Sequence, residues 1–437
     1  MNQENTIFDV IVIGGGPAGS TAATLLAKKG HRVAILEKEQ HPRLAVGESL
    51  LPHFWKYADL LGVSDKIRAA DFVIKKGGVM CWDGQMRAMS FSNFGYDQPA
   101  LHVEREEFDE ILFRNAEECG VITYENTKAT KVETIGQEYR VTAYQNLESQ
   151  NVLHLNSKYI IDATGQSCLL SKKENFHRLD EDFRFQAFWG YFEKMDFLSE
   201  IDVITKFEFR KEKKPYTLVV HSGDWGWIWQ IIMKEKVSVG IILERSQLAI
   251  FKQKGNDLKS RFINTIKEDR ILSRLMVDEE IIDDKIYSIK DYSYNSDSYT
   301  FQHTILTGDA AAFVDPVNSA GVLMAFYSGY FASWTIDRAL RSPNKKDHYF
   351  NLYDGMIRAR FKLFRSIAVP KKNLDSDLLQ DASSTFKMLS KSELDLMVTQ
   401  LSLSQRAENL PEFLSQLGLD HEKMFVEKNV QEFIGSL

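Results

Sequence analysis

Three glycines, Gly14, Gly16 and Gly19 in the stretch IVIGGGPAGSTAA, stand at the spacing G-x-G-x-x-G. That spacing can cradle a pyrophosphate, because a Cβ at these positions would obstruct the tight turn, the approach of the phosphates or the packing of the next helix. A helix starting near Pro17 and Ala18 would offer unpaired N–H groups and a positive dipole end to the anion. Eighteen residues beyond Gly19, Glu37 and then Lys38 close a second apolar run, where a carboxylate can accept hydrogen bonds from a ribose diol. A glutamate rather than an arginine at this place disfavours a 2′-phosphate, which leaves NAD or FAD. The glycine spacing alone could be a plain turn. Strand, glycines, helix, second strand and terminal acid in that order point to a dinucleotide.

These residues need a frame. Phe8 to Ile13 is a β-branched run, Ala18 to Lys29 has helical composition, and Arg32 to Leu36 is a second apolar run, which together predict a βαβ unit with parallel strands. From about Ile201 to Glu244 the segments VITKFEFR, YTLVVHS, WGWIWQIIM and VSVGIILE alternate apolar and polar residues and predict antiparallel strands. Within them Trp225, Trp227 and Trp229 fall at period two, so all three are expected on one face. Ile305 and Leu306 read as a short return strand before a turn and a helix after Pro316, and beyond about Asp347 the chain reads as helical. The expected fold class is α/β. Residues 1–195 form the first part of a dinucleotide-binding domain, 196–295 an inserted antiparallel sheet, 296–345 a return to the first domain, and 346–437 a C-terminal helical region.

Composition narrows the functions. Lys and Arg number 54 against 61 Asp and Glu in 437 residues, a net charge of −7 that argues against a generally basic nucleic-acid binder. The 44% hydrophobic and 26% charged content is that of a globular protein. Cys81, Cys119 and Cys168 show no C-x-x-C spacing, so a disulfide scaffold or zinc site is not expected and a cytoplasmic location fits. No metal-ligand spacing occurs among the histidines, and neither a secretory leader nor a membrane span is expected. Lys211, Lys213 and Lys214 read as a solvated hairpin, with docking of an acidic carrier protein as the alternative.

Later segments choose the cofactor by resemblance. LTGDAAAFVDPVNSAGV, from Leu306 to Val322, resembles the second flavin fingerprint of glutathione-reductase-type FAD enzymes, in which the aspartate of the Gly-Asp pair, here Gly308 and Asp309, binds the ribityl chain. HVEREEFDEIL, with Arg105, Phe108 and Asp109, resembles the group's V-x-R-x-x-F-D element, whose arginine lies near the cofactor. IIDATG, Ile160 to Gly165, reads as a strand ending against the cofactor. FAD in a Rossmann-like domain is therefore implied.

Within that group the chain resembles the flavin-dependent halogenases, most of all their phenol and pyrrole branch, from about Asp9 to Trp334. GESLLP, Gly47 to Pro52, matches their flavin-contacting strap and puts Glu48 and Ser49 beside the cofactor. FVIKKGG, Phe72 to Gly78, matches F-x-x-K-x-G and implies that Lys75 is the catalytic lysine. GWIWQI matches most of W-x-W-x-I-P, with Ile232 in place of the proline; DPVNSAGV resembles D-P-x-x-S-x-G-V, with Asn318 at a position usually aromatic or glutamate. The latter segment implies a halide nest of backbone amides at Ser319, Ala320 and Gly321, with Gly321 and Val322 also at the flavin. The plain reading of Ser319 is a helix cap.

The chemistry implied is halide attack on a flavin C4a-hydroperoxide, with hypohalous acid relayed by Lys75 to an electron-rich phenol or pyrrole, free or carried by a protein. The three tryptophans would shield the passage or simply fill a sheet core. Chloride or bromide is the co-substrate. The sequence holds no second glycine-rich βαβ unit, so reduced FAD (FADH2) is expected from a partner flavin reductase. An aromatic monooxygenase, a prenyl-chain reductase and a catalytically silent flavoprotein partner are the competing readings.

Overall fold

The structure is a computed structural model that describes residues 7–82, 84–136, 138–145, 151–193, 217–221, 225–275, 281–368, 410–416, 420–429 and 431. The VITKFEFR segment and the lysine cluster at 211, 213 and 214 lie outside the described residues.

The strand Ile7–Ile13 leads through the glycine turn into the helix Pro17–Ala27 and returns as the strand Val33–Leu36. Pro17 at the first helical position suits that start, since its missing N–H would be unpaired there anyway. Ile7–Ile13 pairs in parallel with Val33–Leu36 on one side and with Asn151–Asp162 on the other. Asn151–Asp162 also pairs in parallel with Thr304–Leu306, and Val33–Leu36 with Ile122–Tyr124. Val33–Leu36 is buried throughout, as continuous apolar runs in a parallel sheet covered on both faces require. Thr127–Ile135 and Glu138–Gln145 form a hairpin continuing from Asn151–Asp162.

A second, eight-stranded sheet runs in the order Tyr287–Lys290, Phe185–Glu193, Lys236–Glu244, Gly226–Ile232, Thr217–His221, Gly77–Trp82, Gln85–Ser90 and Phe425–Asn429. All its pairs are antiparallel except Thr217–His221 with Gly77–Trp82. The sheet is thus built from more of the chain than sequence alternation marked out. Gly77–Trp82, Gln85–Ser90 and Phe185–Glu193 come from the part expected in the first domain. The C-terminal region supplies helices, among them Lys346–Ala368, and also an edge strand, Phe425–Asn429.

Along Gly226–Ile232, Trp227, Trp229 and Ile231 pack into the core shared with Phe54, Phe91 and Phe108, while Ile228 and Ile232 pack into a core on the sheet's other face. Trp225 departs from expectation. It precedes the strand and packs with the Ile228 face, because Gly226 adopts φ +133 and breaks the alternation at its side. Among the described residues no helix is long and apolar enough to cross a membrane.

Candidate functional site

The glycine turn is fixed by contacts that exclude side chains. A Cβ on Gly14, whose φ is +109, would lie 2.2 Å from the Ala163 carbonyl oxygen, and one on Gly19 would lie 1.9 Å from that of Gly14. Ala163 belongs to the IIDATG turn, so the two motifs meet directly. Asp162 holds that turn by accepting from the amides of Thr164 (3.0 Å) and Leu170 (2.7 Å). Glu37 is buried; one carboxylate oxygen accepts from the Gly15 amide at 2.8 Å and the other from the Glu39 amide at 3.0 Å. Each oxygen retains acceptor capacity for a diol. Lys38 is exposed and pairs with Glu39 at 3.1 Å.

Arg105 opens the helix Arg105–Glu118 and grips Asp109 through two hydrogen bonds, Nε to Oδ1 at 2.8 Å and Nη2 to Oδ2 at 2.9 Å. Its remaining nitrogen donates to the Val46 carbonyl at 2.5 Å, so it fastens the Gly47–Pro52 strap to the helix. Within the strap, Glu48 accepts from the Tyr191 hydroxyl at 2.8 Å and from the Gly47 amide at 3.0 Å, and burial raises its pKa.

Gly308 and Asp309 sit in a turn packed on the first helix, where a Cβ on Gly308 would come 2.9 Å from the Ala18 Cβ. Burial pushes the Asp309 carboxyl up to about 6, with Arg105 opposing. No hydrogen bond to that carboxyl occurs among the described residues, so an acceptor stands ready for a hydroxyl of the ribityl chain. Together with the open glycine turn and Glu37, this donor and acceptor set fits FAD.

Asp315 caps the short 3-10 turn Pro316–Asn318 by accepting from the Val317 amide at 2.9 Å, and accepts from the Tyr292 hydroxyl at 2.9 Å. Ser319 follows with φ +53, and the helix Gly321–Arg341 begins with Ala320 as N-cap and no side-chain cap bond. Ser319 is therefore not the helix cap. Its hydroxyl donates instead to Ser49 Oγ at 3.1 Å. Val322 is buried behind this turn.

Lys75, 1% exposed, ends the strand Val73–Lys75. Its amine donates to Ser49 Oγ at 2.9 Å and to the Leu50 carbonyl at 3.1 Å and lies 5.3 Å from the centroid of the Phe91 ring. Burial without a carboxylate partner lowers its pKa to about 7. The strap and the Ser319 turn thus meet at the lysine through one serine. Trp227 and Trp229 line the same apolar core as Phe91, their ring centroids 5.8 Å apart. Trp229 lies flat across the next strand, where a Cβ on Gly240 would come within 2.1 Å of the ring.

Sequence reasoning missed Tyr191, Tyr292, His102 and Thr217, which hold Glu48, Asp315 and Ser49. His102 stands directly before the V-x-R element, and its place on the short strand Ala100–His102, paired with the lysine strand, was the available signal. Among the described residues there is no group of three His, Cys, Asp or Glu side chains able to hold a metal ion.

Comparison with known proteins agrees with this arrangement. The family described as tryptophan halogenase matches residues 9–98 and 85–371. The tryptophan 2-halogenase of Chondromyces crocatus is 32% identical over 331 residues, 75% of this chain, and the chain spans 60% of that relative's length. The 1H-pyrrole-2-carbonyl-[peptidyl-carrier protein] chlorinase of Pseudomonas fluorescens is 29% identical over 383 residues, covering 81% of each protein. Among solved structures, the myxobacterial chondrochloren halogenase CndH superposes with a TM-score of 0.73 at 27% identity, over 96% of this chain and 99% of that one. With a family match over most of its length and the flavin-type architecture beneath it, the chain belongs to the tryptophan halogenase family of flavin-dependent halogenases.

Proposed function

We propose that the chain is a FAD-dependent halogenase that chlorinates or brominates an electron-rich phenol or pyrrole, free or tethered to a carrier protein. The observation that carries this reading is the buried Lys75 amine, held by Ser49, which also receives the Ser319 hydroxyl. Reduced FAD, when bound, supplies two electrons; halide supplies two more, O2 takes up all four, and the products are hypohalous acid and water. Ser319, Ala320 and Gly321 are read as the halide nest; the Ser319 amide donates to the Pro316 carbonyl at 2.9 Å, so the anion falls to the amides of Ala320 and Gly321, at a helix start with no side-chain cap.

Lys75 takes the oxidant. Its pKa near 7 makes both forms accessible. The ammonium hydrogen-bonds hypohalous acid and polarises its O–X bond; the neutral amine attacks the halogen and releases water, leaving an N–X bond that then delivers the halogen to the ring carbon as the ring proton departs. The Trp227 and Trp229 wall keeps the ring substrate away from the flavin and so suppresses oxygen insertion. Glu37, Lys38, Glu48 and Asp309 are read as cofactor neighbours, with Arg105 holding the strap to them. The Pseudomonas relative, a chlorinase of a carrier-bound pyrrole, supports the pyrrole and carrier reading. A flavin reductase is the source of reduced FAD.

The test is an incubation of the protein with FAD, a flavin reductase, NADH, bromide or chloride, and a panel of phenols and pyrroles, free and as carrier thioesters. Mass gain with the halogen isotope pattern is expected. Oxygen incorporation without halogen, or flavin binding with neither product, contradicts the proposal.

A further inference from the structure

A chain of buried hydrogen bonds runs away from Lys75. Ser49 Oγ, which receives the lysine, is 3.1 Å from Thr217 Oγ1; Thr217 Oγ1 is 2.6 Å from His102 Nε2; and His102 Nδ1 is 2.9 Å from the Ile232 carbonyl oxygen. His102 is wholly buried, and Ser49 and Thr217 are nearly so. Four separated segments meet here: the strap, the strand Ala100–His102, the start of Thr217–His221 and the end of Gly226–Ile232.

The proton order along this chain follows from one fixed end. The Ile232 carbonyl can only accept, so Nδ1 carries a proton. Burial, reinforced by the neighbouring Lys75 charge, lowers the imidazole pKa to about 3, so the ring is neutral and Nε2 is bare. Thr217 must then donate to Nε2. Its proton being committed, Thr217 accepts from Ser49. Ser49 in turn has no proton to offer and presents both lone pairs, one to Lys75 and one to Ser319. A protonated imidazole would free the Thr217 proton to point at Ser49 and undo that order.

We propose that His102 is a positioning residue for Lys75, acting through Thr217 and Ser49 to keep Ser49 an obligate acceptor. With Ser49 and the Leu50 carbonyl each taking one N–H, one position on the nitrogen is left, and it is the same position in both protonation states: the third proton of the ammonium or the lone pair of the amine. The oxidant therefore meets a single, directed group, and the Ser319 turn is held at the same serine. This inference rests on the reading of Lys75 as the halogen relay.

The test is the coupling ratio, halogenated product formed against free hypohalous acid intercepted by monochlorodimedone, for Thr217→Val, Thr217→Ser and His102→Phe, with FAD affinity measured on each. Thr217→Val keeps the shape but neither donates nor accepts. It is expected to lower coupling about fivefold or more with FAD affinity retained, and Thr217→Ser to restore it to within about twofold. His102→Phe, which removes both ring nitrogens and leaves Thr217 in place, is expected to lower coupling in the same direction and serves as the test if Thr217→Val does not fold. Wild-type coupling in Thr217→Val, or in His102→Phe in that case, overturns the inference. If the wild-type protein makes no halogenated product, or Lys75→Met makes it at the normal rate, the underlying reading has failed instead, which is a separate result.

Discussion

Ser319 Oγ donates to Ser49 Oγ at 3.1 Å, joining residues 270 positions apart in sequence. Ser319 ends the Pro316–Asn318 turn, and Ser49 lies in the Gly47–Pro52 strap, where it forms an isolated β-bridge with His102. The contact makes the proposed halide nest and the lysine share one acceptor, so a change at the nest is felt at the amine.

Ser319 has φ +53, which glycine adopts without strain. Ser319→Gly is therefore expected to keep the turn and remove only the hydroxyl, raising the halide KM about threefold to tenfold. Steady-state halogenation at varied bromide checks it. Ser319→Val, β-branched in the left-handed region, is expected to lower the melting temperature as well.

Lys75 carries a signed effect on stability. Its pKa in the folded chain, about 7, lies below the ordinary lysine value of 10.5, so between those values the unfolded chain binds a proton that the folded chain does not. The penalty of burying the amine is complete below pH 7 and fades as pH rises toward 10.5. Lys75→Met is expected to stabilise the fold by about 1–4 kcal/mol at pH 7 and by clearly less at pH 10. Thermal unfolding at the two pH values gives the comparison; an equal gain at both contradicts the low pKa.

Gly14→Ala places a methyl group against the Ala163 carbonyl and strains a φ of +109. Loss of FAD binding is expected, read by flavin retained after gel filtration. Glu37→Gln is milder. It weakens the bond from the Gly15 amide and the reach to a diol, and FAD affinity is expected to fall about tenfold by fluorescence titration.

Gly240→Ala drives a Cβ into the Trp229 ring. The ring must move, and since overpacking costs about 1–3 kcal/mol, a lower melting temperature is expected together with more oxygenated or unreacted substrate per halogenated product. Product ratios by mass spectrometry check it.

Motifs were legible in the sequence because their residue types and spacing carry the chemistry. The Asp162 turn answers a demand within a few residues, whereas Gly14 meets Ala163, Glu37 the Gly15 amide and Gly308 the Ala18 Cβ, distant partners that the residue type and spacing announce all the same. The alternation in Gly226–Ile232 likewise told correctly that Trp227 and Trp229 share a face. It misjudged Trp225 because a single positive-φ glycine resets the period. The edge strand Phe425–Asn429 was read as helix, since its neighbour Gln85–Ser90 lies over 300 residues away and nothing in a strand's own composition names its partner. His102 and Thr217 were invisible for the same reason: a lone histidine and a threonine acquire meaning only when four segments bring them to Ser49.

The most direct measurement compares wild-type protein with Lys75→Met in a single-turnover reaction with prereduced FAD, O2, bromide and an accepted phenol or pyrrole, quantifying brominated product and trapped hypobromous acid together. Wild type is expected to yield ring-brominated product with little free oxidant, and Lys75→Met to yield free oxidant with little or no product. Brominated product from Lys75→Met at the wild-type rate would contradict a role for that amine in carrying the halogen.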